Sequence, residues 1–164
     1  MLPGAPCRRT TIEAKLTLRP GQDIEALLAC IGYPRRRLRK RSVAVEVEFA
    51  SMLTTVHSHE GEVHAVPGDA IITGLRGERW RVAAANFSRR YQPRPPTAMG
   101  QDGTYQSIAA DIVGYRMQQP FTVLLTDGVS LLRGQPGDWL TSYADGSLGI
   151  VSSGLFEHYY EIHP

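Results

Sequence analysis

The chain has 164 residues, 42% of them hydrophobic and 21% charged, with a formal net charge of +2. That is enough to bury one sizeable core or two small ones sharing an interface, and too little for two fully independent domains of ordinary stability. The longest apolar patch, Ala26 to Ile31, is far shorter than the roughly 18 residues of a membrane span, and the opening MLPGAPCRRTTIEAK has no apolar signal region, so a cytoplasmic protein is expected.

The charge is unevenly divided. Residues 1–42 carry ten Lys/Arg against three Asp/Glu, a balance of +7, and residues 43–164 carry −5. A basic segment beside an acidic body can bind an outside polyanion or fold onto its own acidic surface. Cys7 and Cys30 have no metal-ligand spacing, and two free thiols are expected, Cys30 buried on a helix as a small hydrophobe.

Taken along the chain, Ile12, Ala14, Leu16 and Leu18 alternate as in a strand. Asp23 can cap a short helix, Ile24 to Ile31, which Gly32 and Pro34 stop. Next comes the basic run Arg35-Arg36-Arg37-Leu38-Arg39-Lys40-Arg41. From Ser42 the period becomes two: Val43, Val45, Val47 and Phe49 alternate with Ala44, Glu46 and Glu48, the pattern of a strand with one buried face. A strand from Met52 to His57 turns through Glu60-Gly61 into another, Glu62 to Val66. After Pro67-Gly68-Asp69 comes a hairpin of Ala70 to Thr73 and Glu78 to Val82 about the turn Gly74 to Gly77, and then a helical segment, Ala84 to Arg90. Residues 93–103, PRPPTAMGQDG, form a Pro/Gly-rich connector.

The chain beyond the connector is similar to the chain before it. Residues 67–91, PGDAIITGLRGERWRVAAANFSRRY, align without a gap to residues 136–160, PGDWLTSYADGSLGIVSSGLFEHYY, at an offset of 69, with seven of 25 pairs identical. Chance would give roughly one or two. Upstream, Ala109, Asp111, Val113 and Tyr115 fall at offset 66 from Val43, Val45, Val47 and Phe49, which puts Asp111 on the inward face and three added residues near Gln118-Gln119-Pro120.

Pro-Gly-Asp is first a turn specification. Pro presets φ, Gly supplies a positive φ, and Asp accepts a backbone N–H as the next strand begins. Its occurrence in both copies favours a structural role for Asp69 and Asp138; as ligand groups they would be acceptors at the rim where strands end. His57, His59 and His64 sit with Glu60 and Glu62 in a pattern faintly like a cupin metal motif, but the carboxylate and the Pro-Gly-Asp come too soon and no later His completes it, so a polar hairpin tip is the favoured reading. The basic run would give salt-dependent, sequence-blind affinity for nucleic acid, although only Tyr33 adjoins it as a stacking partner. Phe87, Phe156, Tyr91 and Tyr160 recur at matched places and read as core. Trp80, Trp139 and Tyr143 are unmatched, which suits them to a pocket or interface, and Arg76 and Arg79 can add anion contacts beside Trp80. No phosphate loop, nucleophile elbow or paired-carboxylate motif is present, so no catalytic residue, metal ligand or cofactor is assigned.

Both copies, PGDAIITGLRGERWRV…F…Y and PGDWLTSYADGSLGIV…F…Y, resemble the PGDYG-type family of small bacterial and phage proteins, and RKRSVAVEVEF is similar to that family's basic lead-in and first strand. The likeness covers roughly residues 40–162, and the family implies no particular activity. Where its name leads one to expect Asp-Tyr-Gly after the turn, this chain has Ser147-Leu148-Gly149 and Arg79-Trp80-Arg81.

The expected architecture is therefore α+β, predominantly antiparallel β: a basic arm with a short helix (1–41), a first repeat (42–92), a linker (93–104) and a second repeat (105–164), the repeats packed pseudo-symmetrically on a shared core. The expected function is a non-enzymatic binding module for a small anionic ligand, nucleotide-derived molecules among the candidates, held at the seam by Arg76, Arg79, Trp80, Trp139, Tyr143, Asp69 and Asp138. The alternative is a protein-interaction or nucleic-acid-docking module using Arg35, Arg36, Arg37, Arg39, Lys40 and Arg41, and the third reading is a metal-dependent enzyme at His57, His59 and His64.

Overall fold

The computed structural model describes residues 16–19 and 21–164. The first expected strand is seen in its last part, β1 (Leu16–Leu18); Ile12, Ala14 and Cys7 lie outside the described residues. Helix α1 (Ile24–Cys30) forms where expected, with Asp23 Oδ1 accepting from Ala26 N at 3.0 Å and Gly32 turning the chain away at φ 95. Leu28 is its buried anchor. Cys30, at the last helical position, is exposed and is not a free thiol, which corrects both expectations made for it.

The basic run is where the fold departs most from the sequence pattern. Arg36–Lys40 is a strand, β2, in which Leu38 and Lys40 are buried and Arg36, Arg37 and Arg39 are exposed. The strands β3 (Ala44–Phe49), β4 (Thr54–Ser58), β5 (Gly61–Ala65), β6 (Ala70–Thr73) and β7 (Arg79–Val82) come next, then helix α2 (Ala84–Arg90) and β8 (Tyr91–Pro93). The connector ends in a strand that the sequence pattern does not predict, β9 (Gly103–Ser107). The remaining elements are β10 (Ala110–Arg116), β11 (Phe121–Leu124), β12 (Leu131–Gly134), β13 (Trp139–Ser142), β14 (Leu148–Val151), α3 (Phe156–Tyr159) and β15 (Tyr160–Ile162). The protein is thus β-rich with mostly antiparallel sheets and few, short helices. Among the described residues no helix is long and apolar enough to cross a membrane.

Two five-stranded antiparallel sheets carry the architecture, in the orders β7-β6-β3-β9-β8 and β14-β13-β10-β2-β15. Strand β2 precedes β3 in the chain yet pairs with β10 and β15, while β9 precedes β10 yet pairs with β3 and β8. The two connections pass side by side. There Ser107 N donates to Val43 O at 2.9 Å, Val43 N to Ser107 Oγ at 2.8 Å, and Ser107 Oγ to Arg41 O at 2.8 Å. Residue 41 thus lies in the connection from β2, which pairs with β10 and β15, to β3, which pairs with β6 and β9.

Each sheet buries apolar residues on both faces. One face of the first sheet, with Val45, Val47, Ile72 and Tyr105, packs on Phe87 of α2, and the other, with Ile71, packs on the β4–β5 hairpin through Val56 and Ala65. In the second sheet Leu38, Ile112 and Trp139 pack on Phe156 of α3, while Tyr115 and Leu140 pack on Phe121 and Val123 of β11 and on Leu18 and Leu28. Strand β1 joins β11 in parallel. Period-two alternation thus has two buried sides here: Val113 and Tyr115 are covered on the β11 side, and the inward assignment fails at Asp111. Asp111 is exposed and faces Arg39 at 3.9 Å, while Ile112 and Gly114 take the inward places facing α3. A register slip of one residue exchanges the faces of a strand.

Candidate functional site

Between the sheets lies a cavity of about 250 Å³, walled by residues of both. The second sheet contributes Lys40 of β2, Thr141 of β13 and Tyr160 of β15; the first contributes Trp80 of β7 and Tyr91 of β8; Arg90 closes α2, and Tyr143 begins the β13–β14 turn. Alternation places Lys40 there. It stands two residues from fully buried Leu38 on the same face of β2 and is itself only 7% exposed.

Lys40 Nζ donates to the Tyr91 hydroxyl at 3.4 Å and lies 4.7 Å above the centre of that ring and 5.9 Å from the Tyr143 ring. Among the described residues no carboxylate pairs with it, which leaves a desolvated cation satisfied by phenols alone. Burial lowers its pKa below the lysine value, the Arg90 charge adds to that, and Tyr143 opposes it. The phenols are shifted the other way. Burial pushes the Tyr91 pKa up to about 12. Burial and then the neighbouring Tyr143 raise that of Tyr160, whose hydroxyl is 2.6 Å from the Tyr143 hydroxyl. Tyr91 and Tyr160 are therefore neutral hydrogen-bonding groups at physiological pH.

Arg90 is held across the seam. Its Nη2 donates to Asp145 Oδ2 and to Ser147 Oγ, both at 2.5 Å, and its guanidinium lies 4.1 Å over the Tyr143 ring. Burial pushes the Asp145 carboxyl up, but the hydrogen bonds from Ser147 and Arg90 outweigh it and hold the pKa low. Thr141 Oγ1, fully buried, is the one buried side-chain polar atom among the described residues without a hydrogen-bond partner. Such an atom costs roughly 1–3 kcal/mol unless something satisfies it.

Of the residues nominated from sequence, Arg79, Trp80 and Tyr143 line this cavity. Trp139 does not: it is buried and stacked on Phe156 at 4.3 Å, a core residue. Arg76 is exposed, donating to Gly154 O at 3.4 Å and lying 2.8 Å from His158 Nε2. Asp69 and Asp138 are spent on the chain itself. Asp69 accepts from Val66 N, Ala84 N and Arg81 Nε at 3.0, 3.1 and 2.7 Å, and Asp138 from Gln135 N and Ser153 N at 2.9 and 3.1 Å. Each carboxylate ties a turn to the chain near the start of the following helix, at Ala84 of α2 and at Ser153 before α3. Lys40, Arg90, Thr141, Tyr91 and Tyr160 belong to the site without having been marked for it by the sequence pattern. For Lys40 a signal exists, since Leu38 and Lys40 keep period two inside the basic run.

The histidines do not gather. His57 pairs with Glu62 at 3.2 Å, His64 Nδ1 lies 3.4 Å from Thr55 Oγ1, and among the described residues no group of three His, Cys, Asp or Glu is placed to hold a metal. Acidic neighbours partly neutralise the arginines of the basic run: Arg35 pairs with Glu25 at 3.6 Å, Arg39 with Asp111 at 3.9 Å and Arg41 with Glu161 at 3.6 Å.

The turn geometry bears on family membership. Gly68 and Gly137 hold φ of 93 and 96, and the two aspartates bond backbone at equivalent places. A family model described as PGDYG protein matches residues 61–161. The chain belongs to the PGDYG protein family. The PGDYG match begins at the first residue of β5, takes in both Pro-Gly-Asp turns, and ends within β15, so Arg90, Thr141 and the three tyrosines fall inside it while Lys40 lies upstream. No curated protein and no solved structure matches this PGDYG protein.

Proposed function

We propose that this PGDYG protein is a non-enzymatic binding module that takes a small anionic ligand into the cavity between its sheets. The observation that carries this is Lys40: a buried cation with no carboxylate partner among the described residues, facing a cavity, is offset by an anion that arrives with its ligand. The orphan hydroxyl of Thr141 and the hydroxyls of Tyr91, Tyr143 and Tyr160 supply further polar contacts, and Trp80 gives a flat wall. At about 250 Å³ the cavity lies just under the roughly 300–1,000 Å³ usual for drug-sized ligands. That favours a compact carboxylate or phosphate compound over a dinucleotide. The seam is preferred over docking through the basic run because three arginines of that run already pair within the chain.

The reading includes a duplicated architecture. If residues 36–58 correspond to 103–125 at offset 67, and residues 61–94 to 130–163 at offset 69, the ladders coincide: Val47↔Ile72 matches Gly114↔Thr141, and Tyr91↔Ser107 matches Tyr160↔Lys40. Under this correspondence each copy lends its first strand to the sheet of the other, and the two extra residues fall in the β11–β12 turn. It also makes Ser107 the counterpart of Lys40, so only one of the two places carries a cation.

Native mass spectrometry of protein purified from cells, followed by titration calorimetry with phosphate, small carboxylates and nucleoside monophosphates, tests the proposal on the wild type and on Lys40→Met. Saturable binding lost in the variant is expected. A uniformly empty protein with flat titrations overturns it.

A further inference from the structure

A lysine amine that is buried, unpaired by carboxylate among the described residues and open to a cavity can do more than attract an anion. Desolvation and a nearby cation are the two devices by which proteins keep a lysine nucleophilic, and Lys40 has both, the second being Arg90. Its nearest polar neighbour is equally apt. The Tyr91 hydroxyl lies 3.4 Å from Nζ and also receives the Trp80 Nε1 hydrogen at 3.4 Å, so its own proton has no acceptor among the hydrogen bonds of the described residues.

We propose that Lys40 condenses with the carbonyl group of a small oxo acid that enters this cavity, forming a covalent imine at Nζ. The inference rests on the anion-site reading for the ligand's carboxylate, and it adds the second functional group. In the addition step the Nζ lone pair bonds to the carbonyl carbon as the C=O π electrons move to oxygen; nitrogen loses one proton and oxygen gains one, giving a carbinolamine. In the second step the C–O bond breaks, the hydroxyl leaves with a proton as water, and nitrogen gives up its remaining hydrogen as the C=N bond forms. The sum is amine plus carbonyl giving imine plus water, with no oxidant or reductant. Tyr91 is placed to lend a proton to the oxygen and take back the one released by nitrogen. Thr141 Oγ1 is a waiting partner for the ligand's oxygen atoms.

The composition provides its own reference, because the chain has two lysines, Lys15 and Lys40. Full-length protein is incubated at neutral pH with pyruvate or glyoxylate and a hydride reductant that fixes imines, and adducts are located by peptide mass mapping. The expected result is labelling at Lys40 about tenfold or more faster in the folded than in the urea-unfolded chain, the direction that a desolvated amine requires, and faster than at Lys15. Lys40→Arg should abolish the adduct while keeping the circular dichroism spectrum of the wild type. Labelling confined to Lys15 and the chain terminus, or reaching Lys40 only in urea, overturns the covalent step. Labelling of Lys40 by an uncharged aldehyde but not by the oxo acids overturns the oxo-acid assignment. The anion site is judged separately, by calorimetry with inorganic phosphate and non-carbonyl carboxylates: binding there without any Lys40 adduct leaves the site standing and removes the imine.

Discussion

Replacing Gly114 by alanine would put a methyl group where the second sheet has no space for one. A Cβ built on Gly114 lies 2.2 Å from Leu38 Cδ1, 3.0 Å from Leu38 Cγ and 3.4 Å from Trp139 Cε3. Carbon atoms prefer separations of about 3.5–4.0 Å, so the strand or the leucine must give way by more than about 1 Å. Neither is free to do so. Leu38 is fully buried, its strand is held on one side by β10 and on the other by β15, and Trp139 is stacked on Phe156. Overpacking of this kind costs about 1–3 kcal/mol, or about 2–12 °C in Tm for a chain of this size. Urea unfolding followed by circular dichroism reads the loss. Leu38→Ala alone should cost about 2–5 kcal/mol by leaving a void, and the double variant should cost less than the sum by at least about 0.5 kcal/mol, since the new methyl then occupies part of that void. A Gly114→Ala protein within about 0.5 kcal/mol of wild type, or strict additivity of the pair, would refute the placement of β2 against β10 on which the cavity depends.

Three further outcomes are expected. Asp69→Ala should destabilise the protein by about 3–5 kcal/mol, because it strands Arg81 as well as two backbone donors, whereas Asp138→Ala, losing two backbone donors, should cost about 1–3 kcal/mol; parallel urea titrations rank them. In Lys40→Met the folded state no longer carries a desolvated amine. The wild-type lysine has a lowered pKa in the fold, so its penalty is fully present below the folded value and is relieved as pH rises toward the ordinary 10.5. The variant should therefore be the more stable at neutral pH, and its advantage should shrink with rising pH, measured below the range where the tyrosines ionise. His57→Ala should change stability by less than about 0.5 kcal/mol, since its pair with Glu62 is exposed on both sides.

The part of the fold that can be read from sequence is local. The Pro-Gly-Asp turns, the β6–β7 hairpin about Gly77 and the cap at Asp23 are each fixed within a few residues by backbone preferences, and each stands as expected. The part that cannot be read depends on partners far along the chain. Arg36–Lys40 carries residues that look solvated, and only pairing with residues 110–114 and 160–162 makes it a strand with two inward side chains. Alternation sets Asp111 inward because it gives a period but not a phase when both sides of a sheet are covered. The candidate site is legible to the extent that unmatched aromatics mark the seam, as Trp80 and Tyr143 do. Trp139 breaks that rule because it fills core space over the sheet, helped by Gly114 beside it. Thr141 and Arg90 carry no sequence mark, since their meaning is a cavity assembled from both sheets.

The order of synthesis gives β2 a burden that its neighbours do not share. The first sheet has all its strands once residue 107 has emerged, but β2 must wait for β10 and, last of all, for β15 at residues 160–162. For most of translation it is an unmet strand edge, the kind of segment that seeds association between nascent chains. Charged side chains such as its exposed Arg36, Arg37 and Arg39 are of the kind that opposes such association. The same cations that look like a docking signal in the finished sequence thus lie on or beside an early strand with late partners.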